Sequence, residues 1–231
     1  MTIECSSMKK MIDNTLLSPD ATTEDVIKFC KASAGYGLKS VFVLPCHVVS
    51  ARDVLKDSDT LVGAPVGFPL GGHTIKVKRQ EAEEALKSGA RELDMLINVG
   101  LLKSGDFNYI KKEVDEFVRI VKDHDEKSVA KVIIETGLLS DQEKVQASEI
   151  IKAAGADFIK TCTGYNMGKA TVHDIRLIRN AVGRDMGIKA SGGGISTYAD
   201  AEVFIEAGAS RIGTKFGIDI IETYQKTFHS K

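Results

Sequence analysis

A single (β/α)8 barrel over residues 1–231 is the fold this sequence predicts, on three observations. The first is a recurrent junction. Lys87-Ser88-Gly89-Ala90-Arg91-Glu92-Leu93-Asp94, Ala153-Ala154-Gly155-Ala156-Asp157-Phe158-Ile159-Lys160 and Glu206-Ala207-Gly208-Ala209-Ser210-Arg211-Ile212-Gly213 each read as helix end, glycine stop and strand. Glycine just past a helix takes the left-handed conformation that ends it. The second is spacing: the stops at Gly89, Gly155 and Gly208 stand 66 and 53 residues apart, each interval holding two strand–helix units. The third is length, since 231 residues suit one such barrel without a second domain.

Taken in order, strands are expected at 11–16, 38–44, 60–66, 91–97, 129–135, 156–161, 186–190 and 209–213. Ala34-Gly35-Tyr36-Gly37 supplies the stop before the second. Thr22 or Thr23 is the candidate N-cap of a helix over 24–31, and Ser196 or Thr197 that of one over 198–207. A further helix is expected over 107–122. Eight parallel strands separated by helices close into a barrel.

Charge excludes some function classes. The 31 Lys+Arg and 32 Asp+Glu nearly cancel, which leaves no basic surface for nucleic acid and points to a small-molecule partner. Cys5, Cys30, Cys46 and Cys162 lie far apart without a C-x-x-C pair, so reduced and mostly buried thiols in a cytoplasmic protein are expected. Residues 1–10 carry no signal-peptide stretch, and no run approaches the ~18 apolar residues of a membrane span.

In a barrel strand, alternate residues face inward and the others pack on helices. With Leu93, Met95 and Ile97 on the helix side, Asp94 turns inward; Val132 and Ile134 likewise send Lys131 and Glu135 inward, and Ile12 opposes Asp13 and Thr15. Lys160 and Lys189, 29 residues apart at two successive strand ends, have undecided parity. A lone strand lysine is ordinarily an exposed or edge residue, and a lone aspartate a turn or ion-pair residue. Several ionisable groups converging from different strands are harder to explain that way, because each uncompensated buried charge costs several kcal/mol.

Two neighbouring lysines suit a definite chemistry. At an ordinary pKa of about 10.4, roughly one amine in a few thousand is neutral at pH 7; at ~7, about half are. A second ammonium and partial burial lower it. The neutral amine then forms a Schiff base with a carbonyl, and Asp94 suits the proton transfers, directly or through water. Ser191-Gly192-Gly193-Gly194 ahead of a helix near Tyr198, together with Gly213-Thr214-Lys215-Phe216-Gly217, suits a phosphate. Each run also reads as a tight strand-to-helix turn.

Ile12-Asp13-Asn14-Thr15-Leu16-Leu17, Gly67-Phe68-Pro69-Leu70-Gly71, Glu92-Leu93-Asp94-Met95, Lys131-Val132-Ile133-Ile134-Glu135-Thr136, Lys160-Thr161-Cys162-Thr163-Gly164 and Lys189-Ala190-Ser191-Gly192-Gly193 together resemble the deoxyribose-phosphate aldolase family of class I aldolases. The resemblance implies reversible cleavage of 2-deoxy-D-ribose 5-phosphate to D-glyceraldehyde 3-phosphate and acetaldehyde, in a homo-oligomer with no metal or organic cofactor. It implies Lys160 as the Schiff-base lysine, Lys189 as the cation that lowers its pKa and Asp94 as the proton-transfer residue. Asp13, Thr15, Lys131 and Thr163 would form a supporting polar network; Gly164, Gly192, Gly193 and Gly213, with Lys215 as a point charge in place of the family's contacts, are the expected phosphate site. Three departures touch substrate recognition: Cys162 stands for the family's usual serine, Lys215-Phe216 replaces a serine pair, and the turn Gly192–Ser196 is one residue longer and lacks a following arginine. A Schiff-base aldolase with another sugar substrate and a non-catalytic sugar-phosphate sensor are the alternatives. A metal-dependent aldolase or isomerase is a third, against which the five histidines show no H-x-H or H-E-x-x-H spacing.

Overall fold

Eight parallel strands pair in chain order and close on themselves, so the expected barrel is the observed one. The computed structural model describes residues 3–166 and 168–229. The strands are β1 Ile12–Leu16, β2 Ser40–Val43, β3 Leu61–Val66, β4 Glu92–Leu96, β5 Val129–Ile133, β6 Phe158–Lys160, β7 Gly187–Ser191 and β8 Arg211–Thr214. Closure runs through β1 and β8, with Asp13 opposite Gly213 and Asn14 opposite Thr214. Each strand overlaps its expected span, most of them one to three residues shorter, while β7 and β8 run one residue past the expected end.

Around them lie α1 Cys5–Lys9, α2 Thr23–Gly35, α3 Val48–Leu55, α4 Ile75–Ser88, α5 Val99–Lys103, α6 Phe107–His124, α7 Asp141–Ala153, α8 Val172–Val182, α9 Tyr198–Glu206 and α10 Gly217–His229. Thr22 caps α2 in a reciprocal box with Asp25, and Thr197 caps α9 in one with Asp200, which settles both N-cap choices. Gly89, Gly155 and Gly208 all adopt positive φ, as the junction pattern requires. The short helices α1 and α5 were not anticipated. Among the described residues no helix is long and apolar enough to cross a membrane.

The apolar core is the shell between strands and helices. Leu93, Met95, Val132, Ile159, Ile188 and Ile212 turn outward into it and are almost wholly buried, each contributing on the order of 1.5–3 kcal/mol. The lumen is charged instead: Asp13, Glu92, Asp94, Lys131 and Lys189 are all inaccessible to solvent. Two thiols, Cys30 and Cys162, are buried, but Cys46 is exposed and Cys5 partly so. That corrects the expectation of mostly buried cysteines; Cys46 sits in the turn Pro45–His47 that leaves β2.

The ring nearest the buried ammoniums is Phe42. The Phe42 ring carries Lys189 Nζ 3.8 Å and Lys131 Nζ 4.6 Å from its centroid, and β3 makes room for it with a glycine. A Cβ on Gly63 would lie 2.4 Å from Phe42 Cζ. Gly63→Ala is therefore expected to cost about 1–3 kcal/mol in urea unfolding, because the ring cannot yield without displacing the two ammoniums.

Candidate active site

Both lysines point into the barrel. They are cross-strand partners, Lys160 on β6 opposite Lys189 on β7, while Ile159, Ile188 and Ala190 face the helices. Like charges side by side repel, and one carboxylate resolves the conflict: Asp94 Oδ2 accepts from Lys160 Nζ at 2.9 Å and from Lys189 Nζ at 2.8 Å. Lys131 Nζ stands 3.3 Å from the other oxygen. Asp13 is the second hub. Its Oδ2 lies 2.6 Å from Lys189, and its Oδ1 accepts from Ser40 at 2.6 Å and Arg211 at 2.5 Å. Glu92 closes the set, bound by Lys131 and by Arg211 Nη1 at 3.1 Å.

Burial alone would drive these groups neutral, so their partners decide their charge. Desolvation opposes the Asp94 carboxylate, but Lys160, Lys189 and Lys131 outweigh it and hold its pKa well below the usual carboxylate range. Asp13 is held low in the same way by Lys189, Lys131 and Arg211. For Lys131, burial is overcome by Glu92, Asp13 and Asp94, and its pKa rises. Lys189 goes the other way. Burial lowers it to about 8, with Lys160 and Lys131 adding to the fall against the pull of Asp13 and Asp94.

Above the cluster opens a cavity of about 400 Å3 at the C-terminal ends of the strands. Lys160 is in its wall, as are Thr15, Thr163, Gly164, Gly192, Gly193, Gly213 and Lys215; Asp94, Lys131 and Lys189 lie beneath. Thr15 and Thr163 reach the cavity, yet their recorded bonds are local. The Thr15 hydroxyl donates to Asp13 O, and the Thr163 hydroxyl accepts from Tyr165 N and Asn166 N.

Glu135 does not join the lumen cluster. β5 ends at Ile133, Glu135 adopts φ 55°, and its buried carboxylate accepts from Thr163 N at 3.2 Å and Asn166 Nδ2 at 2.9 Å. Asn166 also donates to Pro69 O, and the Tyr165 ring meets Phe68 edge-on at 5.3 Å. The loops after β3 and β6 are thereby tied together, with Phe68 5.9 Å from Lys160 Nζ.

The anion-binding expectation needs one revision. The amides that lead into α9 are not open to a phosphate, because the Asp200 carboxylate accepts from Ser196 N at 3.1 Å and Thr197 N at 2.9 Å, and Tyr198 N donates to Thr223 Oγ1 at 2.9 Å. The turn Gly192-Gly193-Gly194, positive in φ throughout, and exposed Lys215 remain on the cavity side.

Glu92, Arg211, Ser40 and Phe42 were not anticipated. Glu92 shares the parity of Asp94, and Arg211 alternates with outward Ile212, so the same rule reaches both.

Residues 7–220 match the model of the DeoC/LacD family aldolases. A deoxyribose-phosphate aldolase of Caldanaerobacter subterraneus subsp. tengcongensis is 52% identical over 220 residues, covering 95% of this chain and 94% of that one. One of Thermococcus gammatolerans is 49% identical, covering 92% and 94%. Among solved structures, QR15, an aldolase, superposes with a TM-score of 0.89 at 38% identity, covering 95% and 96%. The deoxyribose phosphate aldolase of Aeropyrum pernix, described as having a unique tetrameric structure, gives 0.88 at 30%, covering 97% and 93%. Matched nearly end to end by family model and relatives alike, the chain belongs to the DeoC/LacD aldolase family.

Proposed function

We propose that this protein is a deoxyribose-phosphate aldolase, a class I lyase that reversibly cleaves 2-deoxy-D-ribose 5-phosphate to D-glyceraldehyde 3-phosphate and acetaldehyde. The observation that carries the reading is the placement of Lys160 in the cavity wall, sharing Asp94 Oδ2 with buried Lys189. Lys189, lowered by burial to about 8, is partly neutral near pH 7, and it stands on the same carboxylate oxygen as Lys160, placed to take the proton that Lys160 loses as it attacks. Lys160, which reaches the cavity, attacks C1 of the open-chain sugar; water leaves and an iminium forms. Loss of the C3 hydroxyl proton then breaks the C2–C3 bond. Its electron pair moves into an enamine on C1–C2, and C3 becomes the aldehyde carbon of the released triose phosphate. Protonation of C2 and hydrolysis free acetaldehyde. In this reading Lys189 and Asp94 carry the protons, with a Lys189 pKa suited to acid–base work at neutral pH, and Asp13 and Lys131 hold them in place.

The phosphate is assigned to Gly164, Gly192, Gly193, Gly213 and Lys215. One domain, a homo-oligomer in line with the tetrameric relative, and a cytoplasmic location suggested by the free thiols complete the reading. The test compares acetaldehyde release from 2-deoxyribose 5-phosphate and from 2-deoxyribose, with borohydride trapping. Release from the phosphate ester and a label on Lys160 are expected; neither sugar releasing acetaldehyde refutes the assignment. Lys215→Ala is expected to raise KM for the ester about tenfold, as the loss of one charge-assisted contact does, while leaving the free sugar unaffected.

A further inference from the structure

Lys160 in the cavity wall and Lys131, Lys189 and Arg211 beneath it meet Asp13, Glu92 and Asp94. With all of them ionised, one positive charge is unmatched; with one amine neutral, the set balances. An uncompensated buried charge is expensive, so the balanced state is favoured. Two cations are unable to supply the neutral form: a guanidinium keeps its proton, and Lys131 is gripped by three carboxylates. The Lys160–Lys189 pair is left to do so. The remaining strands, β2 and β3, bring no titratable side chain to the set, and at the mouth Glu135 is turned to Thr163 and Asn166 while Lys215 is exposed.

We propose that Arg211 is a positioning residue for the reaction, its permanent charge setting how readily the Lys160–Lys189 pair releases a proton. Arg211 is absent from the cavity wall. It acts from the first residue of β8 as the cross-strand partner of Lys189, is itself buried, and is fixed by Asp13 and Glu92 with Phe158 5.0 Å beneath its guanidinium. The inference rests on the aldolase reading above.

The test is the acid limb of the pH profile, read from kcat/KM for 2-deoxyribose 5-phosphate and from borohydride trapping with acetaldehyde. Removing a positive charge makes the remaining ammoniums harder to deprotonate, so Arg211→Gln is expected to move the limb upward by about one pH unit. Arg211→Lys keeps the charge and should leave the limb in place. Arg211→Gln combined with Glu92→Gln restores one unmatched cation and should bring it back. A limb unmoved in Arg211→Gln, or moved equally in Arg211→Lys, overturns the proposal. If Arg211→Gln does not fold, Glu92→Gln and the double variant differ by the same charge, and their limbs must differ by the same upward unit. Failure of wild-type trapping at Lys160 would refute the aldolase reading; trapping at Lys160 with an unmoved limb refutes this inference alone.

Discussion

Lys160→Ala is expected to end borohydride labelling and to lower aldol cleavage by at least about 10,000-fold, the scale of losing a covalent nucleophile. No other amine of the cluster takes over, because Lys189 and Lys131 lie beneath the cavity rather than in its wall. The fold should not suffer. Lys131, Lys189 and Arg211 would then face Asp13, Glu92 and Asp94, three charges against three, and Asp94 would keep its bond to Lys189 at 2.8 Å. An unfolding midpoint equal to or above that of the native chain is therefore expected, as where an active site trades stability for function. Mass spectrometry of the trapped peptides decides it: a label that persists in Lys160→Ala, or that appears on Lys189, overturns the assignment of the nucleophile.

The barrel was legible because its punctuation is local. A glycine stop such as Gly89 acts within one turn of chain, and the outward set Leu93, Met95 and Ile97 alternates within a single strand. The parity of Lys160 was not, since Phe158 and Ile159 are both apolar; only pairing with Lys189 and burial of Ile159 in the helix shell decide it. Arg211 escaped for a related reason. It lies three positions past the stop at Gly208, inside the expected strand, but only strand pairing places it beside Lys189. Glu135 shows the limit of the alternation rule, which assumes an extended chain and fails once φ turns positive.

The glycine turn after β7 shows a different limit. Its sequence announces a helix N-terminus, and the helix is there, but Asp200 in the first turn of α9 already occupies the amides of Ser196 and Thr197. Nothing in the spacing of Gly192 to Thr197 distinguishes an open N-terminus from one closed by its own capping box. The proton chemistry divides likewise. The residue types name the participants, but that burial lowers Lys189 is visible only in the structure.

Asp94→Asn is expected to separate imine formation from cleavage. The amide keeps the shape of the carboxylate but not its charge, so Lys160 and Lys189 lose the counter-ion that both contact within 3 Å. Four cations would then face two carboxylates, and the amines would release protons more readily. Labelling with acetaldehyde and borohydride should persist and extend to lower pH. Turnover should not survive, because the C3 hydroxyl proton and the proton for C2 lose the carboxylate through which they pass; a fall in kcat of about 100- to 10,000-fold is expected for loss of acid–base assistance. The cost to the fold has a defined sign. Lys189, already lowered by burial, loses one of the two carboxylates that oppose the fall, so its folded pKa drops further below the unfolded value of about 10.4; protonation then favours the unfolded chain and stability declines as pH falls below that value. Urea unfolding at pH 6 and pH 9 should therefore show the larger loss at pH 6. Labelling lost together with turnover, or turnover retained, would remove Asp94 from the proton path and leave it only the task of holding two ammoniums apart.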